Sequence, residues 1–112
     1  MRYAIPVSGG VVATHFGHCE QFALIDVDEE NKEILKKELV SSPGHEPGFL
    51  PQWLAEEGVS VVLAGGMGSR AQGIFAQNHI NVVIGVLESD PEKAIVAYLN
   101  GALDTGDNIC DH

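Results

Sequence analysis

Basic residues are scarce in this chain: six lysines and arginines face sixteen aspartates and glutamates over 112 residues, a formal charge of −10. A surface of that sign repels a phosphate backbone, which argues against nucleic acid as a partner at moderate salt. Cysteine is scarce too. Cys19 and Cys110 are the two present, so one chain cannot supply the four thiolates of an iron-sulfur site. A cluster held here needs mixed ligands, a second subunit in a homodimer, or incomplete ligation by protein. Incomplete ligation suits a carrier that must release its cargo. No apolar run approaches the roughly 18 residues needed to span a bilayer. Met1 to Val7, broken at Pro6, is too short for a signal peptide. A cytoplasmic protein with no membrane partner is expected, and in a reducing compartment its cysteines read as thiols or metal ligands, not as a disulfide.

Catalytic constellations are missing as well. No nucleophile elbow or metalloprotease helix motif brings serine, histidine and acid into mutual reach. Asp26 and Asp28 lack the further carboxylates of a two-metal hydrolase. A non-enzymatic protein is the expectation.

What is present is enough apolar material, 45% of residues, to bury one core at this length, so residues 1–112 are read as a single domain. Arg2 to Val7 reads as a buried strand ending at Ser8-Gly9-Gly10. Gln21 to Val27 reads as its partner, followed by a turn at Asp28-Glu29-Glu30-Asn31. Lys32 to Val40 is ambiguous: Ile34, Leu35 and Leu39 suit an amphipathic helix, and local propensity leans that way, yet a hairpin strand fits the length. Ser41 to Pro51 is a loop, and a brief helix at Trp53 to Ala55 stops at Gly58. Two strand-helix repeats follow. Val59 to Ala64 and Ile80 to Val86 are the strands; Ser69 to Asn78 and a helix capped by Ser89-Asp90-Pro91 are the helices. Short connections in the first half imply antiparallel pairing and the repeats imply parallel pairing, which together make a mixed α/β sheet. Residues 102–112 form a tail without periodicity.

The chemistry concentrates at two places. His15-Phe16-Gly17-His18-Cys19 and Cys110-Asp111-His112 contain both cysteines and three of the five histidines. Thiolate and imidazole are the ligands that soft and borderline transition metals prefer. His15, His18, Cys19, Cys110 and His112 are therefore the candidate metal ligands, with His45 as a spare. They exceed the four that a tetrahedral ion takes. A third segment, Gly65-Gly66-Met67-Gly68-Ser69-Arg70, follows a strand and opens a helix, where backbone amides and the helix dipole favour anions. It lacks the dinucleotide spacing and the Walker lysine. An anionic metabolite or nucleotide at this turn, in a regulatory or scaffold module, is the alternative to metal binding.

Ser8-Gly9-Gly10 through His15-Phe16-Gly17, then Gln21 to Val27, then Gly65-Gly66-Met67-Gly68-Ser69-Arg70-Ala71 resemble the dinitrogenase iron-molybdenum cofactor biosynthesis family, which includes nitrogenase accessory carriers and the molybdenum-copper orange proteins. The resemblance implies an RNase H-like α/β fold with a five-stranded mixed sheet, an antiparallel hairpin and two strand-helix repeats, with Lys32 to Val40 a strand. It implies that the His-Phe-Gly loop and the glycine turn share one sheet edge. It also implies that His15 ligates a metal-sulfur cofactor in a pocket lined by Gly65, Gly66, Gly68 and Arg70. The expected function is to bind a metal or metal-sulfur cluster (iron, molybdenum, copper or zinc) and pass it to a client or assembly protein.

Overall fold

The computed structural model describes residues 1–14, 16, 19–42 and 49–106. The elements run β1 (Arg2–Ser8), β2 (Val11–Val12), β3 (Gln21–Asp28), β4 (Glu33–Ser41), α1 (Phe49–Glu56), β5 (Val59–Leu63), α2 (Ser69–Gln77), β6 (Asn81–Val83) and α3 (Pro91–Leu99). The sheet order is β4-β3-β1-β5-β6, with β2 hydrogen-bonded to β1 beside that path. β1 pairs antiparallel with β3 and β3 with β4, whereas β1 with β5 and β5 with β6 are parallel. The mixed sheet, the antiparallel hairpin and the two strand-helix repeats are all present.

Period-two alternation divides the strands between two cores. Ala4, Phe22, Leu24 and Val62 point to one face, which Leu50 and Leu54 of α1 and Phe75 of α2 cover. Tyr3, Ile5, Ala23, Ile25, Val61 and Leu63 point to the other, covered by Ala94 and Ile95 of α3. Each face needs its own helix layer because β1, β3 and β5 are apolar on both sides.

Gly9 and Gly10 both take positive φ, +62° and +82°. That is the geometry a two-residue hairpin turn requires, and it folds Val11 and Val12 back onto Ser8 and Val7. This small strand falls in a stretch read from sequence only as the segment after the glycines. At the β3–β4 turn the Asp28 carboxylate accepts from the Glu30 and Asn31 amides and from the Asn31 side chain. That turn delivers residues 33–41 to the open edge of β3, where an extended chain satisfies the main-chain groups of both strands. A helix would leave the β3 edge unpaired. The helical leaning over Lys32 to Val40 is thus corrected to a strand, as the family resemblance implied.

The final helix begins as the Ser89-Asp90-Pro91 pattern predicts: the Asp90 side chain accepts from the Glu92 and Lys93 amides, with Pro91 in the first turn. The strand expected over Ile80 to Val86 is shorter, Asn81 to Val83, because Gly85 adopts φ +74° and ends the regular extension. Among the described residues no helix is long and apolar enough to cross a membrane.

Candidate functional site

β1, β5 and β6 run in the same direction, so the loops leaving them emerge at one end of the sheet. Main-chain hydrogen bonds tie those loops together. The Phe16 amide donates to the Gly66 carbonyl at 2.8 Å, the Gly85 amide to Gly65 at 2.8 Å, and the Val12 amide to Ser89 at 2.8 Å. Phe16 and the glycine turn therefore meet at one end of the sheet, while His15 and Gly17 lie outside the described residues. Gly65 is where they touch most closely: a Cβ there would lie 2.9 Å from the Ala13 carbonyl oxygen and 3.1 Å from that of Thr14. Only a residue without a side chain allows this approach.

Phe16 fixes the loop from below. It is 5% exposed, its ring centroid is 5.3 Å from Phe75 in an edge-on arrangement and 5.6 Å from Phe22, and its amide bonds the glycine turn. A buried ring and a backbone bond together fix Phe16, the residue that follows His15 in the sequence. Sequence reasoning weighed the histidines and passed over this anchor. Its signal was a large aromatic between two polar ligand candidates.

The start of the tail joins the same end. Gly106 donates to the Gly85 carbonyl at 2.6 Å, Leu87 donates to Asp104 at 3.3 Å, and Val86 bridges Thr105. A Cβ on Gly85 would run into the Gly106 carbonyl. Gly85 was also missed as a site residue, although a glycine inside a strand pattern is the usual sign of close backbone approach. Between these segments opens a cleft of about 390 Å³, lined by Val12, Ala13, Thr14, Gly65, Gly85 and Glu88 among others.

The predicted site residues divide as follows. Gly65 lines the cleft. Gly66 is buried and accepts from Phe16. Gly68 is the N-cap of α2, with extended backbone and no side-chain cap, and no acidic residue occupies that helix's first turn. Arg70 is exposed in that turn, and among the described residues it forms none of the ion pairs. Gly66, Gly68 and Arg70 stand outside the lining of the cleft. Cys19 is 3% exposed and packs in the same core as Phe16 and Phe22. Burial pushes its thiol up to about 11, so at neutral pH it is protonated, whereas the thiolate is the metal-binding form. In this structure Cys19 acts as a small core residue. His15, His18, Cys110 and His112, with the spare His45, lie outside the described residues. Among the described residues no group of three or more histidines, cysteines or carboxylates is arranged to hold a metal ion.

These features define a mixed α/β domain with an end built from glycine-rich main chain at the close of its parallel strands, the position where open α/β sheets hold ligands. The chain belongs to the dinitrogenase iron-molybdenum cofactor family, whose model matches residues 1–101. It is 30% identical to the uncharacterised protein MJ0580 of Methanocaldococcus jannaschii over 93% of this chain and 90% of that one. Among solved structures it is similar to PH0822, with a TM-score of 0.86 and 32% identity over 94% of each chain. It also resembles the apo form of the orange protein from Desulfovibrio gigas, with a TM-score of 0.73 and 25% identity over 96% of this chain and 93% of that one.

Proposed function

We propose that this protein binds a metal or metal-sulfur cluster of the iron-molybdenum cofactor type and delivers it to a client or assembly protein in the cytoplasm, without catalysing a reaction of its own. The observation that carries the reading is the junction of three chain segments at one end of the sheet. Phe16 is bonded to Gly66, Gly65 is pressed against Ala13 and Thr14, and Gly106 is bonded to Gly85. His15 follows Thr14 directly, and Cys110 lies four residues beyond Gly106. Four extended residues span about 14 Å, enough to bring a thiolate from the tail across a cleft of this size.

His15 is the principal ligand in this reading, with His18, Cys110 and His112 completing a soft donor set of imidazoles and one thiolate. Cys19 joins only if its loop turns the thiol out of the core, since a buried thiol ionises too reluctantly to serve. A site that leaves cargo positions unfilled by protein favours transfer over permanent retention. Membership of the family and likeness to the orange protein support the metal-sulfur assignment.

Anaerobic reconstitution followed by elemental analysis and an absorption spectrum tests it. The wild-type protein is expected to take up iron, molybdenum, copper or zinc stoichiometrically, and His15→Ala combined with Cys110→Ser to remove most of that uptake. Unchanged uptake in the double variant would overturn the reading. The alternative, a regulatory or scaffold module, draws on the uncapped start of α2 beside the exposed Arg70, where amide groups and a guanidinium favour an anionic metabolite. Calorimetry with nucleotides on metal-free protein separates the two: heat of binding that is lost in Arg70→Ala favours the module.

A further inference from the structure

β4 is one of the two edge strands of the sheet, nine residues long and paired on one side only among the described residues, and of its residues only Ile34 and Val40 are even half-buried. Long uncovered edges are templates for a further strand, and natural sheets blunt them with charge or bulges. This one carries two large exposed apolar side chains, Leu35 at 65% and Leu39 at 52%. Leu35 is the extra residue of a bulge: Lys36 is opposite Asp26 and Ile34 opposite Val27, so Leu35 has no partner on β3.

The order of residues along β4 is symmetric in its chemistry about Lys37. When a second copy of the strand is laid antiparallel with Lys37 on the twofold axis, Leu35 of each copy comes opposite Leu39 of the other. Lys36 comes opposite Glu38, and the matched register ends with these pairs, because beyond the bulge Ile34 faces the core on the other side of the sheet from Val40. Directly opposed residues share a face of the sheet and interact most strongly. The two lysines left on the axis are already neutralised within their own copies, since the Lys37 ammonium lies 3.3 Å from the Glu92 carboxylate.

Charge points to the same partner. Each copy carries −10 overall, so two copies repel across most of their surfaces. Over Glu33 to Ser41 the two acids, Glu33 and Glu38, are balanced by Lys36 and Lys37. This edge is a neutral strip on an acidic molecule, where another copy approaches at little electrostatic cost. An unrelated strand would have to match the Leu-Lys-Lys-Glu-Leu order in reverse, which this strand does by construction.

We propose that β4 is a self-complementary edge at which two copies of this chain join their sheets antiparallel about a twofold axis through Lys37. Such an interface is isologous, each contact occurring twice, and is small for a protein interface, so association is weak and is measured at a chain concentration on the order of 100 µM.

Sedimentation equilibrium of the full chain at that concentration is expected to give twice the 11.9 kDa of one copy. K36E sets two carboxylates against each other by placing its new acid opposite Glu38, and E38K sets two ammonium groups against each other by placing its new base opposite Lys36. Each variant alone is expected to dissociate at least about tenfold more readily, because two attractive pairs become repulsive. Mixing the two variants restores a complementary pairing and is expected to return a heterodimer. Leu35→Lys with Leu39→Lys, at positions already exposed, is expected to be monomeric with an unchanged far-ultraviolet circular dichroism spectrum. A monomeric wild type at this concentration overturns the proposal. So does a dimer that persists in the leucine double variant, or a mixture of the two charge variants that stays monomeric.

Discussion

Where β1 begins, side chains fasten the sheet: the Arg2 guanidinium donates to Asp26 at 2.9 Å and to the Glu57 carbonyl at 2.9 Å, and the Tyr3 hydroxyl donates to Glu29 at 3.4 Å. Where β1 and β5 finish, the ties run from main chain to main chain, through Phe16, Gly65, Gly66, Gly85 and Gly106. The first arrangement uses charges up in pairing. The second rests on main-chain bonds, with the Phe16 ring packed beneath them on Phe22 and Phe75. Under the metal-binding proposal, side-chain pairing and ligand capture fall at opposite ends of the same strands, and substitutions at the two ends should separate them.

The largest separation is expected from Phe16→Ala. Losing a ring packed on Phe22 and Phe75 costs about 3–4 kcal/mol, read by urea denaturation, and under the metal-binding proposal uptake falls with it because the loop before Gly17 loses its anchor. Retained stability would mean that the backbone bond to Gly66 alone holds the loop. Gly85→Ala comes next, at about 2 kcal/mol, since it combines a left-handed backbone with collision against the Gly106 carbonyl. Hydrogen exchange at the Gly106 amide is expected to accelerate in that variant while the amides of β3 stay protected. An unchanged Gly106 would break the link drawn between Gly85 and the tail.

At the other end, Arg2→Met is expected to cost only about 0.5–1 kcal/mol, because the pair is partly solvated, and to leave metal uptake as in the wild type. Its pH signature is specific. The guanidinium holds the Asp26 carboxyl below its ordinary value of 3.8. That stabilisation is therefore fully present above the ordinary value and is lost as pH falls through the depressed one. Acid unfolding curves of Arg2→Met should lose this component. The smallest effect at neutral pH belongs to Cys19, whose thiol is raised from 9.0 to about 11 by burial. A raised value stabilises the fold fully below 9.0, and the contribution disappears as pH climbs to about 11. Cys19→Ala should flatten the alkaline loss of stability over that window, and rapid thiol labelling of Cys19 in the native protein at pH 7 would contradict its burial.

The strands β1, β3 and β5 were legible because each is dominated by apolar residues, and α3 because Asp90-Pro91 signals a cap and a first turn together. β4 was not legible from its own residues: Ile34, Leu35 and Leu39 fit a helical stripe, and what overruled them was the unpaired edge of β3, which no local window contains. The short β2 was hidden for a related reason, since a two-residue strand exists only through its pairing with Val7 and Ser8. In the candidate site, the glycine turn could be read as a close approach of backbone to something, whereas its partner, the carbonyls of Ala13 and Thr14 some fifty positions earlier, could not.

By itself the sequence determined the alternation that gives the sheet two buried faces, the cap and turn residues that start and stop its elements, and the kinds of ligand atom available, because these follow from side-chain chemistry and near-neighbour spacing. Only the tertiary structure decided that the Cys19 thiol is buried, that Phe16 packs on Phe22 and Phe75 and bonds Gly66, and that Gly65, Gly85 and Gly106 bring three distant segments to one end. Those outcomes depend on hydrogen bonds and excluded volume between residues far apart in the chain, and no spacing along the sequence records them.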